Sequence, residues 1–308
     1  MWGYFLRRLS ITIPTILIAV SVVYIMLRFT PGGPFDSERG LPDNVKANIY
    51  AKYNLDKPPL TQYYLYMKDF LMGDFGVSFR YADWTVNELI ASALPVSLTI
   101  GGLAILLSLI FGIVFGLVAA IRQNSWFDYI IMFIANIGSV IPSFVMGPFL
   151  ILLLAIWIKW LPAGGWNDFQ TKYIVLPVLL IFLINISTIA RIMRACTLEI
   201  LSSNFIRTAF AKGLPLKRII FSHALKPAIL PVVSVMGPLA VSSITSAIVT
   251  EFVFSLPGIG KLVVNAASNR DYTLVTGLVA LITVVAVLFN FVVDIFYSFL
   301  DPKIRYSK

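Results

Sequence analysis

The sequence predicts an all-α integral membrane protein with six transmembrane helices. Of its 308 residues, 58% are apolar and only 13% are charged, whereas soluble domains are about 45–50% apolar and about 25% charged. Six charge-free stretches are long enough to cross a hydrocarbon core of about 30 Å as helices, and the alternation typical of barrel strands is absent. These stretches are 9–27, 89–121, 129–158, 173–190, 227–250 and 272–293.

The first stretch follows Arg7 and Arg8, which is also the pattern of a signal peptide. We expect a retained helix, because the stretch is longer than most signal sequences need and no A-x-A cleavage site follows it. The resulting division of the chain is an N-terminal transmembrane helix (1–28), an extracytoplasmic segment (29–93), a transmembrane core (94–298) with a cytoplasmic loop (194–226), and a cytoplasmic tail (299–308).

The positions of Lys and Arg predict the orientation, since short basic loops favour the cytoplasm. With the N-terminus inside, one set of segments contains Arg7, Arg8, Arg122, seven basic residues between 191 and 226, and three in the tail, whereas the opposite short loops contain only four basic residues. We therefore expect both termini in the cytoplasm. The net charge of +9 is then mainly topological, and nucleic-acid binding is not predicted.

The residue inventory excludes several chemistries. Cys196 is the only cysteine and His223 the only histidine, so an intramolecular disulfide, a multi-cysteine metal site and a histidine-based zinc site are ruled out. No G-x-x-x-x-G-K-[ST] phosphate loop occurs; the nearest string, 258–261, lacks the upstream glycine and the final Ser or Thr. The sequence predicts no catalytic residues, no metal site and no bound cofactor.

Outside the membrane, Pro42–Leu55 and Pro59–Met72 are predicted to be helical, each with a proline near its start. The second helix contains Tyr63, Tyr64 and Tyr66, and we expect these tyrosines to anchor it in the headgroup region. Substrate binding is the alternative.

The loop 194–226 has the pattern of a compact cytoplasmic knob. Ser202, Ser203 or Asn204 can cap a helix that begins near Phe205 and ends near Lys212, where Gly213 and Pro215 stop it. A second helical stretch starts near Leu216. An ordinary basic loop would explain the charges, but it would not explain a short capped helix followed at once by a break, which suits docking into a groove on a partner.

The blocks 204–209, 211–215 and 223–228 resemble the cytoplasmic loop of ABC-importer permeases, particularly the oligopeptide and dipeptide branch. Other ordered blocks that fit the branch are 28–32, 73–76, 78–79, 256–260, 269–272 and 301–303. The whole chain is similar to the B-type permease subunit of an oligopeptide importer. The resemblance implies the type I ABC importer permease fold in a bacterial cytoplasmic (inner) membrane.

The resemblance also assigns an ATPase-coupling role to the loop. In the general family motif Glu-Ala-Ala, three residues, then Gly, the matching positions are Arg207, Thr208, Ala209 and Gly213; Arg207 departs from the general Glu but fits the peptide branch. Small Ala209 is expected to permit close approach, and Gly213 to take a positive φ. The full set of predicted coupling residues is Asn204, Arg207, Thr208, Ala209, Lys212, Gly213 and Pro215.

Polar residues inside the spans are candidates for a transport pathway or, equally, for hydrogen bonds between helices. They are Asn136, Ser139, Asn185, Ser243, Thr245, Asn290 and Asp294. Prolines such as Pro142 are expected to kink their helices.

The sequence and the resemblance together predict a non-catalytic permease subunit that translocates oligopeptides. The implied partners are a second homologous permease, two ATP-binding subunits that use ATP and Mg, an extracytoplasmic peptide-binding protein, the peptide substrate and membrane lipid. Dipeptides, murein peptides or another small solute are alternative substrates. An ion-coupled secondary transporter is a different class, for which only Asp294 and Glu251 offer intramembrane charge.

Overall fold

The computed structural model describes residues 2–29, 50, 54, 56–81 and 83–300. Over these residues the chain is helical, apart from turns, loops and one isolated bridge between Val77 and Thr85. The helices are α1 (Trp2–Arg28), α2 (Pro59–Leu71), α3 (Val86–Ile121), α4 (Trp126–Val140), α5 (Ser143–Leu150), α6 (Thr171–Leu201), α7 (Asn204–Ala211), α8 (Leu216–Ile219), α9 (Leu225–Val253), α10 (Ile259–Ser268) and α11 (Tyr272–Leu300). The predicted helix Pro42–Leu55 and the end of the tail lie outside the described residues.

Five described helical segments are long and apolar enough to cross a membrane. A sixth is the bent pair of α4 and Ser143–Trp157, if it counts as one span; its second half is α5 followed by the π-helical stretch Ile151–Trp157. The all-α prediction is thus confirmed, but the stretch 129–158 is not one straight helix. Its two halves meet at an angle of 112°. Pro142 causes the break, because a proline disfavours helical backbone in the preceding residue, and Ile141 is extended at φ −89° and ψ 121°.

Helix α6 lies at the centre of the bundle. It is the most buried of the candidate spans, and α3, α4, α5 and α9 all pack against it. Two of these contacts depend on glycine: a Cβ on Gly116 would lie 2.6 Å from the Ala190 carbonyl oxygen, and a Cβ on Gly138 would overlap the Leu183 carbonyl. Gly112 is similarly close to Ile189. Because lipid provides no hydrophobic driving force, small residues that let backbones approach stabilise such pairs.

Helix α2 packs on α1 through its tyrosines. The Tyr63 hydroxyl lies 2.7 Å from Ser21 Oγ, and the rings of Tyr66 and Tyr24 are stacked at 4.9 Å. Burial raises the pKa of the Tyr66 hydroxyl, whereas Tyr64 is exposed. Tyr63 and Tyr66 therefore contact α1, and the anchoring of α2 in the headgroup region stays a prediction.

A buried ion pair joins the start of α4 to the last third of α6. Arg194 donates from Nε and Nη2 to the two carboxylate oxygens of Asp128, both at 2.7 Å, and Asn124 N donates to the same carboxylate at 3.0 Å. The Asp128 side chain is 3% exposed. The turn between α3 and α4 therefore lies at the end of the bundle where α6 leads into α7.

Candidate functional site

The segment 202–224, called the knob below, contains two short helices separated by a sharp break. α7 ends at Ala211, and Gly213 follows with φ +73°. The Gly213 and Leu214 amides donate to the carbonyls of Phe210 and Ala209, and Pro215 then begins α8 in extended backbone. The positive φ predicted for Gly213 is confirmed. This conformation reverses the chain so that α8 returns to the bundle.

The knob has its own small core. Ile206 and Ala209 of α7 pack against Ile219 and Ala224, and all four side chains are buried. Ala209 therefore faces the chain's own following segment. Its small side chain permits close approach within the knob, and a larger residue there would separate the two halves.

The opposite face of α7 is exposed. Asn204, Arg207, Thr208, Lys212, Gly213 and Pro215 are all exposed. Among the described residues, none of these side chains forms an ion pair, and the only hydrogen bond recorded for one of them runs from the Thr208 hydroxyl to the Asn204 carbonyl within the helix, at 3.0 Å. Phe205 and Phe210 add aromatic surface, at 51% and 48% exposed.

The predicted serine cap does not form through a side chain. Ser203 occupies the N-cap position, but its hydroxyl donates back to the Ile200 carbonyl at 2.6 Å. Ser202 donates to the Glu199 carbonyl. Both hydroxyls therefore bond to carbonyl groups in the last turn of α6 and not to the first amides of α7.

Three of the predicted pathway residues lie at helix contacts. Asn185 on α6 donates to Ser243 on α9 at 2.8 Å, and each residue is 2% exposed. Asn290 on α11 packs against Gly237 on α9, where an added Cβ would overlap the amide oxygen. These side chains join helices, which is one of the two roles expected.

Asn136 and Ser139 lie on the exposed side of α4, whereas Ala135 and Gly138 face α6. The structure does not bring these two residues together with Asn185 and Ser243. Thr245 and Asp294 belong to α9 and α11, and their side chains lie outside the described residues.

Sequence reasoning missed the structural role of Glu251, which is completely buried. Its carboxylate accepts hydrogen bonds from Ser97 Oγ at 2.5 Å and from the Gly260 amide at 2.6 Å. The Lys261 amide is 3.4 Å away. The available signal was the Pro-Gly-x-Gly string that follows, because it brings free amides to the start of a helix next to a carboxylate.

Asp271 has a comparable position immediately before α11. Its carboxylate accepts a hydrogen bond from the Ser78 hydroxyl, and bonds of 3.1–3.3 Å from the amides of Phe79, Arg80 and Leu274. Aspartate is a common N-cap residue directly before a helix. The bonds to residues 78–80, which are far away in sequence, could not be predicted from the local sequence. They fasten the segment after α2 to the last span.

No group of three or more His, Cys, Asp or Glu side chains among the described residues is placed to hold a metal ion. The buried carboxylates of Glu251 and Asp271 accept hydrogen bonds from backbone amides and serine hydroxyls.

Comparison with known proteins assigns the family. The family described as "Binding-protein-dependent transport system inner membrane component" matches residues 112–306, a range that contains the knob and α9 to α11. The chain belongs to this family. It is a multi-pass inner-membrane protein and a permease component rather than an enzyme.

Curated relatives match over the full length. The chain is 51% identical to the oligopeptide transport system permease protein OppB of Salmonella typhimurium, over 99% of this chain and 100% of the relative. It is 50% identical to OppB of Escherichia coli K12 over the same shares. The dipeptide transport system permease protein DppB of Bacillus subtilis is 36% identical, over 100% of this chain and 99% of the relative.

The fold is also found in a solved structure. A chain of the MetNI methionine ABC transporter in an inward-facing conformation aligns with a TM-score of 0.58 at 16% identity, over 69% of this chain and 96% of that chain. At this identity the likeness shows the fold alone. The predicted ABC importer permease fold is confirmed.

Proposed function

We propose that the chain is a permease subunit of an ATP-driven importer that moves oligopeptides across the inner membrane. The proposal rests on sequence identity of about 50%, over the full length, with two OppB oligopeptide permeases. An exposed knob of the kind that fits a partner's groove also supports it.

The knob docks on an ATP-binding subunit. Its exposed face combines Arg207 and Lys212 with the aromatic rings of Phe205 and Phe210, and arginine and aromatic residues contribute most of the binding energy in many interfaces. A complementary groove on the ATPase would present acidic side chains around an apolar floor. ATP and Mg bind to the ATPases, so this subunit holds no cofactor.

A second, homologous permease covers the exposed face of α4. Asn136 and Ser139 lie on that face within an apolar span, and polar groups in a membrane face other helices or a water-filled cavity rather than lipid. We assign these two residues to the subunit interface or the pathway beside it. Asn185, Ser243 and Asn290 hold the bundle together.

The orientation follows from the basic loops, with both termini and the knob in the cytoplasm. The segment 29–93 then faces the extracytoplasmic binding protein, 94–298 forms the core and 299–308 the inner tail. The position of the Asp128–Arg194 pair, at the same end as the knob, supports a common side for the α3–α4 turn and the knob.

The test is uptake of labelled peptides by proteoliposomes that contain this chain with its partner permease, two ATPases and the peptide-binding protein. ATP-dependent uptake of labelled oligopeptides, absent without this chain, is the expected result. Uptake driven by an ion gradient without ATPases would indicate a secondary transporter instead.

Dipeptides are the second candidate substrate, favoured by the 36% identity to a dipeptide permease. The same proteoliposomes discriminate the two, because a dipeptide importer would take up labelled dipeptides and leave longer peptides outside.

A further inference from the structure

A cavity of about 160 Å³ lies between α3, α9 and α11. Its walls are mostly apolar and include Gly101, Ile244 and Val285. At one end it is bordered by Glu251, by Ser97 and by the first turn of α10. Among the described residues, Glu251 is the only carboxylate that lines this cavity, and it also holds the end wall.

The hydrogen bonds at this end form one connected set. Ser97 of α3 donates its hydroxyl to Glu251 of α9 and accepts the Ile259 amide of α10 at 2.8 Å. The other carboxylate oxygen accepts the Gly260 amide. Three helices therefore meet at one buried side chain.

The glycines around Glu251 are required by the same contact. A Cβ on Gly258 would overlap the Glu251 carboxyl group, and a Cβ on Gly260 would overlap the backbone of Ile248. The absence of both side chains lets the start of α10 lie directly on α9, where its amides reach the carboxylate. A buried carboxylate without such donors would be strongly disfavoured.

We infer that Glu251 is a positioning residue for transport: its carboxylate fastens the first turn of α10 to α3 and α9, and so closes the end of this cavity on the outer side of the membrane. The role in transport and the assignment of this end to the outer side both rest on the proposed function. The fastening itself rests on the contacts above.

The carboxylate accepts hydrogen bonds from both of its near neighbours, the Ser97 hydroxyl and the Gly260 amide. Glu251→Gln preserves the shape and one acceptor oxygen but removes the negative charge, and its NH2 group can only donate, so one of the two bonds is lost or reverses at the Ser97 hydroxyl. Glu251→Ala removes both acceptors. Ser97→Ala leaves the carboxylate and its bond to the Gly260 amide in place and removes the links from α3 to Glu251 of α9 and to the Ile259 amide of α10.

The experiment uses a cysteine probe on the cavity wall, Ile244→Cys, in a chain carrying Cys196→Ser and assembled with its partners in intact cells. An impermeant thiol reagent added outside reports whether the outer end of the cavity is open. We expect Glu251→Ala to raise the labelling rate about tenfold and to reduce peptide uptake about tenfold, with Glu251→Gln intermediate, in line with the loss of one or two buried hydrogen bonds.

Glu88→Gln is the matched control. Glu88 also accepts hydrogen bonds at a helix start, from the Thr85 amide and hydroxyl, but it is exposed and does not line the cavity. It should change neither rate. If Glu251→Ala does not reach the membrane, Glu251→Gln and Ser97→Ala carry the test.

Unchanged labelling of Ile244→Cys in inserted Glu251 variants would overturn the inference, and so would an equal increase in Glu88→Gln. The labelling does not need a peptide. If the parent complex moves no peptide, the proposed function fails while the labelling still decides whether Glu251 closes the cavity.

Discussion

At one end of the bundle, Glu251 and Asp271 are buried and accept hydrogen bonds from backbone amides and hydroxyls on distant segments. At the other end, the exposed face of the knob presents Arg207 and Lys212, for which no ion pair is recorded among the described residues. The first arrangement stabilises the chain by itself. In the second arrangement, water solvates the exposed charges, so leaving them unpaired costs little free energy. They contribute binding free energy when a partner supplies opposite charges, which is what a docking surface requires.

The Asp128–Arg194 pair shows that the unpaired charges at this end of the bundle belong to the knob and not to all of its neighbours. This pair lies at the knob's end of the bundle, yet both oxygens of Asp128 are bonded at 2.7 Å. The charges that join helices are paired within the chain, whereas Arg207 on the exposed face of α7 forms no ion pair among the described residues.

Asp271→Ala should produce the largest loss of stability. Four donors, including the Ser78 hydroxyl and the Leu274 amide, would lose a charged acceptor in a buried position. We expect the free energy of unfolding in detergent to fall by about 3 kcal/mol. Unfolding monitored by circular dichroism in increasing denaturant measures the change, and a loss within experimental error would mean that this end is not held by Asp271.

Asp128→Ala should have the next largest effect, about 2 kcal/mol, because it leaves the Arg194 charge without its partner in a mostly buried position. Exchanging the pair, as Asp128→Arg with Arg194→Asp, should recover part of the loss. The same denaturant titration tests both variants, and equal stability of the single and exchanged variants would argue against a direct interaction.

The Asn185–Ser243 hydrogen bond should contribute less. A double-mutant cycle with Asn185→Ala and Ser243→Ala should give a coupling energy of about 0.6 kcal/mol, the average for such bonds between membrane helices. A coupling energy near zero, together with a fall in peptide uptake for either single variant, would favour the pathway role over the helix-joining role.

Arg207→Ala should have the smallest effect on stability, within about 0.5 kcal/mol, because its side chain is exposed. Its peptide uptake should nevertheless fall sharply. If the variant is as destabilised as Asp128→Ala, the difference between the exposed face of the knob and the internally satisfied charges disappears.

The spans and the knob were predictable because both depend on local patterns. Charge-free stretches place the spans, and Lys212-Gly213-Leu214-Pro215 contains its own break. The long-range bonds of the buried carboxylates were not predictable: three of the four donors to Asp271, on Ser78, Phe79 and Arg80, lie almost two hundred positions away, and no local rule connects them. The bend at Pro142 was foreseen as a kink, but the sequence did not give its size of 112°.

The role of Ala209 illustrates the same limit. The motif position predicted close approach, but only the packing shows that the approach is to Ile219 and Ala224 within the knob. The proposed contact with the ATPase would involve the exposed residues around Ala209. They include Phe205 and Phe210, whose exposure the sequence does not reveal.

We propose that the break after α7 orients the exposed face of the knob for docking on an ATPase. Gly213 has φ +73° with open space around its Cα, so a β-branched residue there would strain the backbone by about 1 kcal/mol or more without a steric clash. Asparagine tolerates this conformation better than valine does. Gly73, near the opposite end of the bundle, is a matched control with φ +81° and the same open space.

The decisive measurement is the amount of ATPase that co-purifies with the membrane-inserted chain, together with peptide uptake, for Gly213→Val, Gly213→Asn and Gly73→Val. We expect Gly213→Val to insert normally but to lose most of its ATPase and its uptake. Gly213→Asn should retain much of both, and Gly73→Val should keep its ATPase. Full ATPase retention and parental uptake in Gly213→Val would contradict the coupling role of the knob.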